Sequence, residues 1–475
     1  MGPFVTETLT PPNHVIVVFG ANGDLARRKL LPSLFHLDQE GLMPADYRIV
    51  GNSRSELSDD EFRQFARDAV KEFGRAPATD DAWGPFARRL SYVSHEFTPA
   101  DTTPLHDAVA TAEKEMGAGV ERLFYLAVPP VAFAPITEGL GACGLAEGAR
   151  VVYEKPFGLD LESFQQLNGR IRSVLEHDQI YLIDHFLGKE TVQNILALRF
   201  ANGMFEPVWN RHHLDCVTID VPETLSIGTR AGFYEKVGAL RDMVVTHLFQ
   251  VLTFIAMEPP AAFDADAVGD AKEAALRAIR PLNPADVVRG QYEGYREAEG
   301  VSPDSDTETF VAARAFVDNE RWEGVPFYMR TGKCLKQSYS SASFSFRPPR
   351  RDLFNDEDAR KLNQNCLTLR LGPDEGISVR FLAKVPGPKI DLDAAQMTFD
   401  YESSFGSELI EAYERLIHDA LLGDRTLFNR ADGIGRSWEI ISAILENPPP
   451  LHIYPQGSWG PKEADQLIAP SRWAW

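Results

Sequence analysis

The chain has 475 residues, 44% of them apolar, and a formal net charge of −21. This length predicts two domains, and the apolar content is high enough for large cores, which argues against disorder. The acidic balance argues against nucleic acid as a partner, because phosphate contacts require a basic face. Any anionic substrate must be attracted by a local cluster of positive side chains, since the overall field repels it.

The cysteines and the apolar runs restrict the class of protein further. The four cysteines are widely scattered, without a Cys-x-x-Cys pair, so we expect no metal site, no disulfide framework and a reducing, cytoplasmic environment. The longest apolar stretch, residues 243–257, is interrupted by Thr246, His247 and Gln250. It predicts a buried helix, and we expect no membrane partner.

The first 185 or so residues alternate strand-like and helical runs. This rhythm predicts a Rossmann-like, doubly wound parallel sheet with helices on both faces. Ligands in such sheets bind beyond the carboxyl ends of the strands. One helix is expected to begin with a capping box at Ser58 and Glu61. The predicted strands cover residues 14–19, 47–51, 90–97, 122–128, 149–154 and 179–183.

The first strand leads into a glycine-rich turn and then a helix. Together these form a pyrophosphate site for a dinucleotide, because the first N–H groups of a helix are unpaired. The spacing Gly-x-x-Gly-x-x-Ala differs from the common Gly-x-Gly-x-x-Gly, so a plain tight turn stays open as an alternative. Pro32 predicts a kink or an early break of the helix. The expected cofactor contacts here are Gly20, Asn22, Gly23, Asp24 and Leu25.

The end of the second strand indicates which nicotinamide cofactor is preferred. An acidic residue there would bind the adenosine ribose and repel a 2′-phosphate. This chain instead has Asn52, Ser53 and Arg54 at that place. Arg54 can bind a 2′-phosphate and stack on adenine, so NADP is favoured over NAD. A solvated surface arginine is the plain alternative.

The second half of the chain has a different pattern. Apolar and polar residues alternate over residues 367–371 and again over 377–381, with a Gly-Pro-Asp-Glu-Gly turn between them. This pattern predicts an antiparallel hairpin. Residues 407–422 predict a helix with one apolar face, and residues 283–308 are expected to be rich in loops.

We therefore expect two domains. Residues 1–185 would form an NADP-binding domain of α/β type, and residues 186–475 a substrate-binding and oligomerisation domain of α+β type. The second would contain a large, mostly antiparallel sheet flanked by helices. One uncovered face of such a sheet is a reasonable surface for a dimer.

Residues 183–190, Ile-Asp-His-Phe-Leu-Gly-Lys-Glu, are the most informative stretch of the chain. They place Asp184, His185 and Lys189 where an apolar strand gives way to a helix. A helix N-terminus suits an anion, and an imidazole and an ammonium add charge-assisted donors, so a phosphate site is expected.

Two further segments can be interpreted either as functional or as ordinary structural features. Residues 154–158, Glu-Lys-Pro-Phe-Gly, follow a buried-looking strand, where a surface Lys-Pro turn is the plain reading. A cis peptide at Pro156 would aim the preceding side chain. His247 lies in an otherwise apolar helix, where a lone histidine is more often a satisfied core residue.

These stretches together resemble the glucose-6-phosphate dehydrogenase family. Residues 183–190 are similar to its substrate signature, residues 154–156 to its Glu-Lys-Pro turn, and residues 241–247 to its Arg-Asp-x-x-x-x-His helix. Further similarity at residues 383–387 and 457–461 extends the resemblance over nearly the whole chain.

The resemblance implies oxidation of glucose 6-phosphate to 6-phosphogluconolactone with NADP, by a homodimer or homotetramer. His247 would be the catalytic base and Asp184 its orienting partner, while Lys155 would contact substrate and cofactor. On α-helical spacing, Asp242 and His247 would lie about 140° apart. The implied substrate-binding residues are Lys155, His185, Lys189, Glu223, Asp242 and Lys333.

Three positions depart from the family pattern. Phe186 stands where many members have tyrosine, Ser338 where some have a basic residue, and Asn22 where serine or threonine is common. Lys336 is a candidate substitute for the missing basic residue. Two other functions stay open: a Glu-Lys-Pro dehydrogenase for an unphosphorylated sugar, and a catalytically weak NADP-sensing protein.

Overall fold

The computed structural model describes residues 9–351, 353, 365–405 and 410–473. These residues form a six-stranded and a nine-stranded sheet with helices packed around both. The predicted fold class, a parallel α/β sheet followed by an α+β part, is therefore confirmed.

The first sheet contains the six strands expected from the sequence, each ending within a few residues of its predicted limits. Their order is β3-β2-β1-β4-β5-β6, and all neighbours are parallel. The direction of winding reverses beside β1, where a doubly wound sheet opens a crevice for a ligand. The strands are β1 (His14–Phe19), β2 (Tyr47–Ser53), β3 (Leu90–Ser94), β4 (Glu121–Leu126), β5 (Arg150–Tyr153) and β6 (Ile180–Leu182).

The helix after β1 continues past Pro32, so an early break is wrong. The turn before the proline, Ala26–Leu30, is π-helical, and the N–H of Leu31 donates to the carbonyl of Ala26. This wider turn accommodates the Pro32 ring, which in a regular α-helix would clash with the carbonyl four residues earlier and kink the helix. The helices around this sheet are Leu31–Gln39, Asp59–Phe73, Asp80–Ala87, Thr103–Met116, Phe133–Ala142 and Leu161–Arg172. The expected capping box at Ser58 is present.

The second sheet has the order β14-β13-β12-β11-β7-β10-β9-β8-β15. Only the pairs β7–β10 and β8–β15 are parallel, so it is mostly antiparallel. Its strands are β7 (Leu214–Pro222), β8 (Val287–Tyr292), β9 (Phe310–Phe316), β10 (Pro326–Gly332), β11 (Ser340–Phe346), β12 (Cys366–Gly372), β13 (Gly376–Lys384), β14 (Leu392–Asp400) and β15 (Leu451–Tyr454).

Two expectations for this half need comment. The hairpin is confirmed as β12 and β13, but residues 283–308 contain strand β8 and are less loop-rich than expected. The helix expected over 407–422 is described from Ala412, since residues 406–409 lie outside the described part. The helices are Glu190–Phe200, Ala231–Ala239, Leu240–Leu248 (π-helical), Phe249–Ala256, Ala265–Ala278, Tyr401–Phe405, Ala412–Leu422, Ala431–Glu446 and Lys462–Ile468.

Helix Ala412–Leu422 packs back against the first sheet. The guanidinium of Arg150, at the start of β5, donates to the carbonyls of Leu421 at 2.8 Å and Ala420 at 3.2 Å. Lys29 pairs with Glu411 at 2.8 Å. One continuous apolar core joins both sheets. The division at residue 185 stays a prediction.

The helical stretch Ala231–Ala256, which is kinked at Gly238, is long and apolar enough to cross a membrane by length and composition alone. Its most apolar window is 94% buried inside the protein, as expected of a core helix. It contains residues 243–256 of the stretch that the sequence predicts to be a buried helix.

Candidate active site

A buried carboxylate lies just after the end of β6, in the middle of the molecule. Asp184 follows that strand by two residues and is 1% exposed. Its Oδ1 accepts a hydrogen bond from the N–H of Phe186 at 2.9 Å and lies 2.6 Å from Nδ1 of His247. Because an ionised carboxylate only accepts, Nδ1 carries the proton and Nε2 keeps a lone pair. Asp184 and His247 therefore form a dyad.

The helix that carries His247 is π-helical over Leu240–Leu248, and the N–H of Phe249 donates to the carbonyl of Val244. In such a helix, residues five apart lie one hydrogen-bonded turn apart and share a face. Asp242 and His247 therefore face the same cleft. The separation of 140° expected from α-helical spacing is wrong, because the local helix type differs.

Gly238 and Glu308 fix the start of this π segment. Gly238 has a φ of 62°, and a Cβ at this position would lie 2.5 Å from Oε1 of Glu308. That same oxygen accepts a hydrogen bond from the N–H of Leu240 at 3.1 Å. Arg289 pairs with the other carboxylate oxygen at 3.2 Å. A buried ion pair thus caps the helix that carries the base.

The electrostatics of the dyad suit proton abstraction. Burial lowers the pKa of His247 well below its usual value, and the nearby Lys155 ammonium lowers it further. Burial raises the pKa of Asp184 to about 6, against the opposing effect of neighbouring cations. Near neutral pH the imidazole is thus neutral and the carboxylate ionised. Within the described part of the chain, Nε2 of His247 is buried without a hydrogen-bond partner.

A cleft of about 750 Å³ opens in front of the dyad, between the two sheets. His247 lines it together with two pairs of a lysine and a carboxylate. Lys155 donates to Oδ1 of Asp242 at 2.6 Å, and Lys333 pairs with Glu223. Burial would raise the pKa of Asp242, but the Lys155 ammonium and its hydrogen bond lower it to about 2. These fixed charges can hold several sugar hydroxyls.

The other end of the cleft contains His185 and Lys189, as expected. Lys189 lies 4.5 Å from the centre of the Phe186 ring, which itself stacks on the His247 imidazole at 4.5 Å. Burial and the neighbouring His247 hold the pKa of His185 well below its usual value. His185 is therefore neutral before an anion binds, and Lys189 supplies the positive charge.

The structure thus brings all eight predicted catalytic and substrate-binding residues together. Seven line the cleft, and Asp184 lies behind His247. Lys336 does not replace the basic residue that some members have at the position of Ser338. Its side chain is exposed, and its Nζ lies 5.9 Å from the centre of the Trp459 ring. The Lys155–Pro156 peptide is cis.

Several residues of the cleft were not expected from the sequence. Arg230, Glu375, Tyr339 and Tyr413 line it, and Tyr413 stacks on His185 at 6.1 Å. Each comes from a different segment. Arg230 begins a run, residues 230–234, that resembles the family's Arg-Gly-Gly-Tyr-Phe run, whereas the other three belong to no motif that marks them. The Glu-Lys-Pro turn also contains Glu154, a buried carboxyl next to Lys155, and burial raises the pKa of Glu154 to about 7.

A second groove, of about 600 Å³, lies at the carboxyl ends of β1, β2 and β4. Gly20 has a φ of 75°, and a Cβ there would come 2.3 Å from the carbonyl oxygen of Ala127, so only glycine fits. The missing side chain leaves room for a backbone-bound pyrophosphate. The expected residues that line this groove are Gly20, Asn22, Gly23 and Arg54; Ser53, Ser55, His95 and Thr98 also line it.

Three expected cofactor residues lie elsewhere. The Asp24 side chain is exposed and pairs with Arg28 at 2.8 Å, and Leu25 is half-buried in the first turn of the helix. Lys155 lines the substrate cleft instead. Cofactor contacts at Asp24, Leu25 and Lys155 stay predictions. Arg54 is exposed at the groove, 4.0 Å from Glu96.

Two family models together match almost the whole chain. Residues 17–194 match the model described as glucose-6-phosphate dehydrogenase, NAD binding domain. Residues 196–475 match glucose-6-phosphate dehydrogenase, C-terminal domain. The chain belongs to the glucose-6-phosphate dehydrogenase family.

Relatives match over nearly their full length. The chain is 41% identical to glucose-6-phosphate 1-dehydrogenase of Chlamydia pneumoniae, over 98% of this chain and 96% of the relative. The Mycobacterium avium enzyme of that name has a solved structure with a TM-score of 0.87 and 38% identity, covering 98% of this chain and 99% of the other. A glucose-6-phosphate dehydrogenase solved with glucose-6-phosphate matches with a TM-score of 0.90 and 33% identity, covering 99% and 100%.

The family assignment agrees with the geometry of both cavities. The 600 Å³ groove lies within the residues that match the NAD binding domain, so this glucose-6-phosphate dehydrogenase family member is an oxidoreductase with a nicotinamide cofactor. The cleft with the dyad lies between that domain and the C-terminal one.

Proposed function

We propose that this protein oxidises glucose 6-phosphate to 6-phosphogluconolactone with NADP. The observation that carries the proposal is the dyad of Asp184 and His247, whose unpaired Nε2 faces a cleft lined by two lysine–carboxylate pairs. A base, fixed charges for hydroxyl groups and a separate cation for phosphate are the groups that this substrate requires.

His247 takes the proton of the anomeric hydroxyl on Nε2. Asp184 keeps the proton of the imidazole on Nδ1 and stabilises the imidazolium that forms. The nicotinamide ring, when bound, supplies the acceptor for the hydride from the same carbon. Loss of the proton to His247 and of the hydride to the nicotinamide is a two-electron oxidation that converts the sugar to a lactone.

The lysine–carboxylate pairs position the sugar. Lys155 and Asp242 form one pair beside His247, and Lys333 and Glu223 form the other. Each pair offers a donor and an acceptor to neighbouring hydroxyls. Because both partners are already charged and in place, binding a sugar requires little rearrangement, which favours a productive geometry.

The preference for NADP is supported by Arg54. It lies at the end of β2, where an acid would repel a 2′-phosphate, and it lines the cofactor groove with an exposed guanidinium. The neighbouring hydroxyls of Ser53 and Ser55 are suitable donors to the same phosphate.

We also propose a cytoplasmic homo-oligomer. The four cysteines are free thiols, which suits a reducing compartment. The outer edge of the second sheet exposes apolar side chains: Met397 on β14 is 59% exposed, and Ile390, in the connection just before β14, is 65% exposed. A nine-residue edge strand such as β14 is usually covered by a partner, and a second copy would cover it by symmetry.

The deciding experiment measures NADPH formation from glucose 6-phosphate and from glucose over a range of concentrations. We expect a strong preference for the phosphorylated sugar, and a fall in kcat of about 10²- to 10⁴-fold in His247→Asn with unchanged NADPH binding. Equal use of free glucose would favour the dehydrogenase of an unphosphorylated sugar. NADPH binding without turnover of either sugar would contradict the enzyme assignment.

A further inference from the structure

Lys272 is a buried lysine that the proposed reaction does not use. It lies on helix Ala265–Ala278 and is 5% exposed. Its Nζ lies 3.4 Å from Oδ1 of Asn429 and 5.3 Å from the centre of the Phe254 ring. A buried ammonium is costly unless a negative charge compensates it, and an amide oxygen and a ring face do not carry one.

Two neighbours connect Lys272 to the two halves of the dyad. The N–H of Asn429 donates to the carbonyl of Leu182 at 3.0 Å, two residues before Asp184. Gln250 follows His247 by three positions and, with Lys272, lines a small cavity of about 10 Å³. Neither neighbour is among the described residues that line the substrate cleft, so this contact lies behind the dyad.

Two oxygen atoms at this place are unpaired. Within the described residues, Oδ2 of Asp184 and Oε1 of Gln250 are buried and make no hydrogen bond. Buried polar side-chain atoms are rarely left unsatisfied. The small cavity is close to the size of one water molecule, which the Lys272 ammonium and Gln250 could share. Lys272 and Asp184 act on each other electrostatically, so this buried ammonium is the cation available to compensate the carboxylate from behind the dyad.

The surrounding charges leave Asp184 as the buried counter-charge. Glu273, next to Lys272 in sequence, pairs with Arg277 at 2.7 Å and lies 3.7 Å from Arg430. Burial lowers the pKa of Lys272 to about 8, and Asp184 acts against that shift. The charged and titratable groups that act on Lys272 or Asp184 are Lys155, Lys189, His185, His247, Glu154, Glu273, Tyr413 and Arg430.

We propose that Lys272 is a positioning residue for the dyad, whose buried ammonium holds Asp184 in the ionised form that orients His247. The inference rests on the proposed function. Without the cation, a carboxyl as buried as Asp184 would take up a proton at higher pH. A protonated Asp184 would donate to Nδ1, the imidazole proton would move to Nε2, and the base would be lost.

Lys272→Met removes the charge and keeps an unbranched side chain. We expect the acidic limb of the kcat/KM profile to move up by about one pH unit, the lower end of the effect of an adjacent opposite charge, with KM for glucose 6-phosphate unchanged. Lys272→Arg restores the charge and is expected to restore the wild-type limb. Lys272→Gln makes the same comparison if the methionine variant does not fold.

Arg199→Met is the matched control. Arg199 is also buried, and it donates to the carbonyls of Phe254 and Met257 at the other end of the helix that follows His247. Its loss should lower Tm without moving the acidic limb. A limb that stays in place in a folded Lys272→Met variant, or that moves equally in Arg199→Met, would overturn the proposal.

A second readout separates this proposal from the proposed function. The proton on Nδ1 of His247, in its short hydrogen bond to Asp184, resonates at low field and reports the ionisation of the carboxyl. Its titration should move up by about one pH unit in Lys272→Met, whether or not the enzyme turns over. Wild-type protein without turnover of glucose 6-phosphate contradicts the function alone, whereas an unmoved titration contradicts only the role of Lys272.

Discussion

Two carboxylates beside the same histidine have pKa values displaced in opposite directions. Burial dominates at Asp184 and raises its pKa to about 6. At Asp242, which is also buried, the adjacent Lys155 ammonium outweighs burial and lowers the pKa to about 2. The first group is ionised near neutral pH and holds the Nδ1 proton of His247 in place, while the second stays a fixed negative charge for the substrate.

The pH dependence of kcat/KM follows from the dyad. Activity requires an ionised Asp184 and a neutral His247, so it should be complete above the raised pKa and be lost as the pH falls through about 6. Initial rates at low substrate concentration between pH 5 and pH 8 test this. Asp184→Asn should remove the limb together with most of the rate, and a limb that survives this substitution would assign it to another group.

Cofactor preference is expected to depend on Arg54. Arg54→Ala removes the cation at the end of β2, and KM for NADP should rise by about 10- to 100-fold, the effect of one charge-assisted contact. KM for NAD should not change. Arg28→Ala is the matched control, because Arg28 is an exposed arginine that pairs with Asp24 and is not among the described residues that line the groove. Equal effects on both cofactors would contradict the assignment.

At the level of secondary structure, π-helical turns occur at both functional cavities. The first precedes Pro32 in the helix after the glycine loop, and the second carries Asp242 and His247. A π turn has poorer packing than an α turn and persists only where the surroundings fix it. Here the cap from Glu308 and the φ of Gly238 fix where the second one begins.

Gly238→Ala should therefore disturb the site as well as the stability. The positive φ and the contact with Glu308 together are expected to cost roughly 2–5 kcal/mol of unfolding free energy. Gly232→Ala, in the same helix, is the control, because its Cβ would meet nothing within 4 Å and it should be neutral or stabilising. Chemical denaturation of both variants tests this. Similar stability of both would show that Gly238 is not constrained.

At the scale of the whole molecule, the reaction depends on two cavities that different sheets provide. The cofactor groove belongs to the parallel sheet, and the cleft combines the end of β7, the segments that follow β6 and β10, and the buried helix that carries His247. Helix Ala412–Leu422 packs against the first sheet, so the C-terminal half helps to hold the cofactor half in place.

The proposed oligomer can be tested at the exposed apolar residues of β14 and of the connection before it. Ile390→Glu combined with Met397→Glu should dissociate it, because two buried charges would face each other or the partner's apolar surface. Sedimentation velocity measures the change in mass. Phe263→Glu is the control, since Phe263 is 74% exposed and lies far along the chain from β14 and the connection before it. A wild-type monomer, or an oligomer that withstands both substitutions, would contradict this interface.

The sequence was sufficient for the elements whose signals are local. The six strands of the first sheet, the hairpin of β12 and β13 and the capping box at Ser58 were all predicted, because side-chain periodicity and turn residues act over a few positions. Strand β8 was missed, since Gly290 and the nearby prolines resemble a loop. Its pairing with β9 and β15 comes from distant parts of the chain.

The residue types of the site were also determined by the sequence, through motifs that place Asp184, Lys155 and His247 in recognisable contexts. Only the tertiary structure decided that Asp184 and His247, 63 positions apart, lie 2.6 Å from each other. It alone revealed the π-helical turn and the buried lysine behind the dyad. The physical reason is that contacts between distant segments, and the burial that shifts their pKa values, arise from packing and leave no local pattern in the chain.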